Sequence, residues 1–258
     1  MYIVLSPAKS LNLDSWEPVI APTQPELLDD AARLAKTCRN LPQKRLREMM
    51  SISRDLAKLN ADRFAAWEPN HTPLNSKPAA WMFAGDTYRG FQAGTFDADE
   101  LTWAQDHVGL LSGLYGVLRP MDLIQPYRLE MGSALKTRRG TSLYDWWRDT
   151  PTKLVNARTE GHADRTVVVC ASKEYSSVLR SRKLAGPMLA VDFREVRDGE
   201  AKMISFFAKQ ARGALARWAV RARAETPADL KAFDLDGYAF QPAASDARKF
   251  VFTRPSTT

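Results

Sequence analysis

The 258-residue sequence predicts a mixed α/β fold (α+β in its ordering): one compact domain over residues 1–258, with helices packed on a mixed β-sheet. Three observations carry the fold class. Short uncharged apolar runs at residues 2–5, 79–84 and 166–171 read as buried strands. Between them, apolar residues recur at three and four, the helical period. The order strand, helices, strand, helices, strand, hairpin, helix, strands suits a sheet covered by helices.

The elements follow in turn. The first apolar run ends at Ser6-Pro7. Pro18, Pro22 and Pro25 keep the next stretch irregular, and Pro25 opens a helix, where its missing N–H costs nothing. Leu27, Leu28, Ala31, Leu34 and Ala35 then repeat at helical spacing. Pro42 restarts a second helix, and a third carries Ile52, Leu56, Leu59, Phe64 and Trp67. Residues 99–107 predict a further helix. Residues 110–118 hold Gly113 and Gly116 and read two ways. One is a helix-hairpin-helix whose glycines expose N–H groups to phosphate; the other is a strand leaving the sheet into a loop. Pro120 weighs against a second helix there. Residues 166–171, Thr-Val-Val-Val-Cys-Ala, are the clearest strand because they are β-branched and uncharged. Asp198-Gly199 between residues 188–196 and 202–206 signals a hairpin. Residues 210–224 predict a helix, and 237–240 with 249–253 a last strand pair.

Composition narrows the function. Lys plus Arg number 37 against 30 Asp plus Glu, a net charge of +7 that hints at an anionic partner. Two cysteines, Cys38 and Cys170, exclude a disulfide framework and a cysteine-based zinc site. His71, His107 and His162 sit in no ligand spacing, so no metal or cofactor is expected. No run approaches the ~20 apolar residues of a membrane span, and no signal peptide is visible, which places the chain in the cytoplasm. The phosphate-binding Gly-x-x-x-x-Gly-Lys loop, the dinucleotide fingerprint and the serine-hydrolase elbow are absent.

Ligand sites in such sheets lie outside the carboxyl ends of parallel strands. Ser6 to Lys9, Gly85 to Tyr88 and Ser172 to Tyr175 all follow apolar runs, so they converge on one edge. Lys9 and Lys173 bring positive charge there. Asp86 serves as a helix cap, a general base or an acceptor for a base edge. Tyr88 stacks on a base or fills the core. The loop after residue 118 aims Arg119, Tyr127, Arg128 and Glu130 at a cleft, and arginine suits bidentate contact with phosphate. On the last long helix Phe207, Ala211, Leu215, Trp218 and Ala222 form the buried face, so Lys209 and Arg212 point away from it. No acid lies between residues 201 and 224, which fits phosphate binding or a solvated basic face.

Four motifs resemble one family: Ser-Pro-Ala-Lys-Ser-Leu from Ser6, Phe-Ala-Gly-Asp-Thr-Tyr-Arg-Gly from Phe83, the run from Leu111 to Gly132, and Ile-Ser-Phe-Phe-Ala-Lys-Gln-Ala-Arg-Gly from Ile204. They are similar to those of the YaaA family of bacterial peroxide-stress proteins. The resemblance spans residues 1–252. It implies a cytosolic protein that limits damage from free intracellular iron, with a positively charged cleft, a helix-hairpin-helix element and DNA binding. Lys173 departs from the small or acidic residue usual in the family at that place, which makes this edge more basic. With so few soft or imidazole ligands, an effect on iron is expected to be indirect.

Two functions follow as expectations. One is DNA binding without catalysis. Lys9, Arg119, Arg128, Lys173, Lys209 and Arg212 would hold phosphate, and Gly113 and Gly116 would form the hairpin. The other is an enzyme acting on a nucleobase or nucleotide, of glycosylase or lyase type. Asp86 or Glu130 would be its acid or base, and Tyr88 or Tyr127 would stack on the base. DNA, a nucleotide or a small anion is the expected partner, and no membrane.

Overall fold

A computed structural model describes residues 1–256. β1 (Tyr2–Leu5) is buried throughout, and β2 (Ser10–Leu11) follows at the surface. Next come α1 (Leu28–Arg39), α2 (Gln43–Met50) and α3 (Arg54–Ala66). α1 buries Ala31, Leu34, Ala35 and Cys38, one helical face. The Ser53 hydroxyl caps α3 by accepting from the Leu56 N–H.

The run at 79–84, expected as a strand, divides. β3 (Lys77–Pro78) leads into one helical turn, α4 (Ala79–Met82), and then β4 (Phe83–Ala84). β4 pairs with β2 outside the main sheet. A short apolar run does not distinguish a buried helical turn from a strand. α5 (Asp86–Phe91) and α6 (Ala98–His107) precede β5 (Val108–Ser112), β6 (Gly116–Leu118) and β7 (Leu123–Ile124), which pairs with β3.

β5 and β6 form an antiparallel hairpin, so the strand reading holds for residues 108–118. The helix-hairpin-helix reading fails there. Every residue from Leu111 to Leu118 is buried, and the Gly113 carbonyl accepts from the Trp147 indole. Gly113 and Gly116 therefore offer no N–H to a phosphate. Their lack of a side chain has another cause. A Cβ on Gly113 would lie 2.2 Å from the Leu129 carbonyl oxygen, and Gly116 turns the hairpin at φ +75°.

α7 (Leu143–Trp147) and α8 (Thr150–Arg158) lead to β8 (Val167–Cys170) and the single turn α9 (Lys173–Ser176). β9 (Met188–Arg197) turns through Asp198 and Gly199, at φ +52° and +79°, into β10 (Glu200–Lys202). Two left-handed residues suit a two-residue hairpin. α10 (Ser205–Ala222) starts five residues earlier than expected and takes Phe206 from the strand expected over 202–206. β11 (Ala239–Phe240) and β12 (Lys249–Pro255) complete the chain.

The main sheet runs β11-β12-β9-β8-β1-β5-β6, with β10 on β9. β12, β9, β8, β1 and β5 are mutually parallel, so their carboxyl ends share one edge. α10 packs on β9, β8 and β1 and is crossed by α5. At the crossing Gly213 of α10 meets Gly90 of α5. A Cβ on Gly213 would lie 1.8 Å from the Thr87 carbonyl oxygen, and one on Gly90 2.0 Å from that of Gln210. Among the described residues no helix is long and apolar enough to cross a membrane.

Below the β5–β6 hairpin the Tyr115 hydroxyl accepts from the Trp67 indole (2.9 Å) and lies 3.0 Å from Nε2 of His71. Burial lowers the His71 imidazole from its usual 6.5 to about 4. A histidine kept neutral in the fold but charged when unfolded opposes folding in acid. Its cost is absent above pH ~6.5 and grows to about 3 kcal/mol as the pH falls to ~4. Urea unfolding across that window is expected to show the loss, and His71→Gln is expected to flatten it.

Candidate functional site

A cavity of about 520 Å³ opens at the carboxyl edge of the parallel strands. It gathers the three predicted segments: Ser6 to Ser10 after β1, Ala84 to Arg89 around the start of α5, and Cys170 to Tyr175 after β8. α10 closes it with Lys209 and Arg212. The strand ends are tied together, because the Ser172 N–H donates to the Ser6 hydroxyl (2.8 Å). The Tyr88 hydroxyl donates to the Ser6 carbonyl (3.0 Å) and fixes α5 against the same loop.

The charged side chains divide into paired and unpaired. Lys9 pairs with Glu130 at 3.0 Å, and Arg128 holds the other oxygen of that carboxylate at 2.9 Å. Asp86, the first residue of α5, lies 3.6 Å from Arg89 and makes no side-chain cap. Glu174 accepts from the Gly132 N–H, and the Tyr144 hydroxyl donates to its carbonyl (2.7 Å). Lys209 and Arg212 differ. Neither has a hydrogen-bond or ion-pair partner among the described residues, and the Arg212 Nε is buried without one. Lys173 is exposed on the turn after β8 and does not line the cavity.

The other basic residues of α10 are engaged elsewhere. Arg217 bonds Gln92, Arg221 pairs with Glu100 and Arg223 donates to the Asp99 carbonyl. The acid-free helix thus presents two free cations to the cavity and sends its remaining charge to α5 and α6.

Neutral groups line the rest. Burial raises the Tyr88 and Tyr175 phenols and pushes the Cys170 thiol up to about 12. A thiol so held is a poor nucleophile at neutral pH. Cys38 is buried in the core, and burial pushes it up to about 12 as well. Among the described residues no three or more His, Cys, Asp and Glu side chains gather as a metal site. The His107 ring stacks on Trp103 on one side and on His162 on the other.

Of the predicted residues, Arg119 and Tyr127 lie away from the cavity, Arg128 and Glu130 reach it only through Lys9, and Lys173 is not among its lining residues. β6 runs back against β5, so Arg119 emerges at the opposite edge of the sheet. There it pairs with Glu26. The same carboxylate takes the Arg158 guanidinium (3.0 Å), which also donates to the Tyr2 hydroxyl (2.8 Å). Asp122 accepts from the Arg119 N–H and the Thr23 hydroxyl, and burial raises its carboxyl to about 6. Tyr127 is 4% exposed and shares a hydrogen bond with Ser112 at 2.7 Å, so its ring is core. Tyr88 lines the cavity but is only 7% exposed.

Sequence reasoning placed Ser6, Ser172 and Glu174 only within their segments; their contacts, Ser172 to Ser6 and Glu174 to Gly132, join residues far apart in the chain. It missed a signal that a running charge count would have shown. Residues 136–183 hold eleven Lys and Arg against five Asp and Glu, nearly all of the +7 net charge. The exposed Lys173, Arg148, Arg180, Arg182 and Lys183 belong to this segment.

The family model described as peroxide stress protein YaaA matches residues 1–244. The chain is 50% identical over 256 residues to a UPF0246 protein of Phenylobacterium zucineum, covering 99% of this chain and 95% of that one. It is 49% identical over 257 residues to one of Roseobacter denitrificans, covering 99% and 98%. A third, of Ruegeria pomeroyi, is 48% identical over 255 residues, covering 99% of both chains. With all but the last residues matched by that model and relatives aligned nearly end to end, this chain belongs to the YaaA family of peroxide stress proteins.

Proposed function

We propose that this chain binds DNA in the cytoplasm through the cavity at the carboxyl edge of its sheet, and so limits iron-dependent oxidative damage under peroxide stress. The observation that carries the proposal is the unpaired state of Lys209 and Arg212 within that cavity. A cation held without a counter-charge is poised for an anion, and phosphodiesters supply one at every nucleotide. The net positive charge of segment 136–183 adds a general attraction for an anionic polymer. The paired state of Glu130 with Lys9 and Arg128 favours binding over acid–base chemistry, because this carboxylate already orients two cations.

Fluorescence-anisotropy titration of duplex and gapped DNA across a salt series tests this reading. Lys209→Ala with Arg212→Ala is expected to weaken binding at least about tenfold near physiological salt. The plot of log affinity against log salt should become shallower by about 1.8, roughly 0.9 for each lost phosphate contact on duplex DNA. An unchanged slope would remove α10 from the footprint. The same samples assayed for released base or cleaved strand test the enzymatic reading. Product that vanishes with Asp86→Asn would replace binding by catalysis.

A further inference from the structure

We propose that the outer edge of β10 is a self-pairing surface, through which two copies of this chain associate about a two-fold axis at Ala201. This pairing does not depend on DNA binding.

β10 pairs with β9 alone, so its other edge is open among the described residues. Every residue from Arg197 to Phe206 is exposed, and nothing in the chain covers that edge. The hairpin register sets which backbone groups face it. Glu200 lies opposite Arg197 across the two-residue turn, which is the hydrogen-bonded kind of pair. The two kinds alternate along an antiparallel ladder, so Ala201 opposite Val196 is the non-hydrogen-bonded kind. The Val196 carbonyl agrees, because it turns away from β10 and accepts from the Ser256 N–H on the β12 side (2.8 Å). The N–H and C=O of Ala201 therefore both project outward. A second copy laid antiparallel on this edge, Ala201 against Ala201, would exchange two N–H···O=C bonds there.

The same two-fold axis matches the side chains. One step from it, Glu200 of each copy stands opposite Lys202 of the other. That pair is of the non-hydrogen-bonded kind, whose side chains come closest. Within one chain Lys202 and Glu200 already pair at 2.6 Å, and both are largely exposed. Two copies would join them into a ring of four charges of alternating sign. Charges on a short edge strand ordinarily discourage strand addition. Here the order Glu-Ala-Lys makes the edge complementary to itself instead. One step further, Met203 stands opposite Gly199 of the other copy, where a Cβ would have no atom within 4 Å. Met203, Ile204 and Phe206 are three of the eight exposed large hydrophobics among the described residues, all directly after β10. Covering them adds the apolar burial that so short a ladder lacks. The surface is thus isologous, the same patch serving both copies.

Sedimentation velocity on the protein free of nucleic acid, over about a hundredfold range of concentration, tests this. Wild type should move from monomer toward dimer with a Kd in the micromolar range, as a small interface gives. Glu200→Lys alone and Lys202→Glu alone each set like charges opposite one another, and each should weaken self-association at least about tenfold. Mixed in equal amounts, the two variants should form a heterodimer, because one edge then carries two basic residues and the other two acidic ones. Ala201→Pro removes an outward N–H and no bond to β9, so it should abolish association. A wild type that stays monomeric overturns the proposal and leaves the edge to a strand of some other protein. A dimer that the charge variants or Ala201→Pro do not weaken overturns it too, since its interface lies elsewhere. So does a mixture that stays monomeric. Unchanged melting temperatures show that each variant is folded. Should Ala201→Pro not fold, the two charge variants decide, because both positions lie at the surface.

Discussion

Gly213→Ala should lose at least about 3 kcal/mol of stability, the upper end of the cost of overpacking a tight core. The added methyl would stand 1.8 Å from the Thr87 carbonyl oxygen and 2.7 Å from the Phe91 nitrogen. Both obstacles are backbone, so no rotamer change relieves the clash. α5 and α10 must separate, and the two helices carry Asp86, Tyr88, Arg89, Lys209 and Arg212. The cavity then loses its geometry together with the fold. Two of the family-like motifs, at 83–90 and 204–213, end on these very glycines, Gly90 and Gly213. Thermal unfolding measures the effect, with Gly161→Ala as the control. No atom lies within 4 Å of a Cβ on Gly161, so that variant should melt like wild type.

Arg158→Met should cost about 3 kcal/mol, as removal of one member of a buried charge network does. The Arg158 side chain is 6% exposed and holds the Tyr2 hydroxyl and the Glu26 carboxylate together. Methionine keeps much of the length but leaves the fully buried Tyr2 hydroxyl without that donor. Glu26 retains Arg119, so the loss should stay below that of an isolated buried charge. A drop in melting temperature of about 6–12 °C is the expected reading for a chain of this size. Because this cluster lies at the opposite edge of the sheet, the folded variant should bind ligands in the cavity as wild type does. A selective loss of binding would tie the cluster to the site.

Much of the sheet was legible because β1 and β8 are uncharged, apolar and short, and β8 is β-branched as well. The segment 108–118 was ambiguous for a physical reason. Its glycines answer to neighbours distant in sequence: Gly109 lies against the Tyr2 ring and Gly113 against the Leu129 carbonyl. No local pattern records such contacts. The cavity was legible through the rule that sites gather beyond the carboxyl ends of parallel strands. Arg119 was misplaced because closeness to Arg128 in sequence does not say at which end of the sheet a residue emerges. The return of the chain along β6 decides that. Phe206 was assigned to a strand because an Asp-Gly turn predicts a hairpin but not where its second arm ends. That arm stops at Lys202.

The position of β1 at the centre of the sheet has a consequence for how the molecule comes to exist. Its pairing partners begin at Val108 and Val167, so the first apolar strand made waits more than 100 residues for one neighbour and longer still for the other. Sequence-distant pairing slows folding, since long loops must close before contacts reward them. Tyr2, Ile3, Val4 and Leu5 thus spend the interval of synthesis as an unpaired, aggregation-prone edge. A chain truncated before β8 would keep its amino-terminal helices yet lack one side of that strand. The cavity, whose walls follow β1 and β8, can therefore form only after synthesis has passed Tyr175 and delivered α10, late in the birth of the protein.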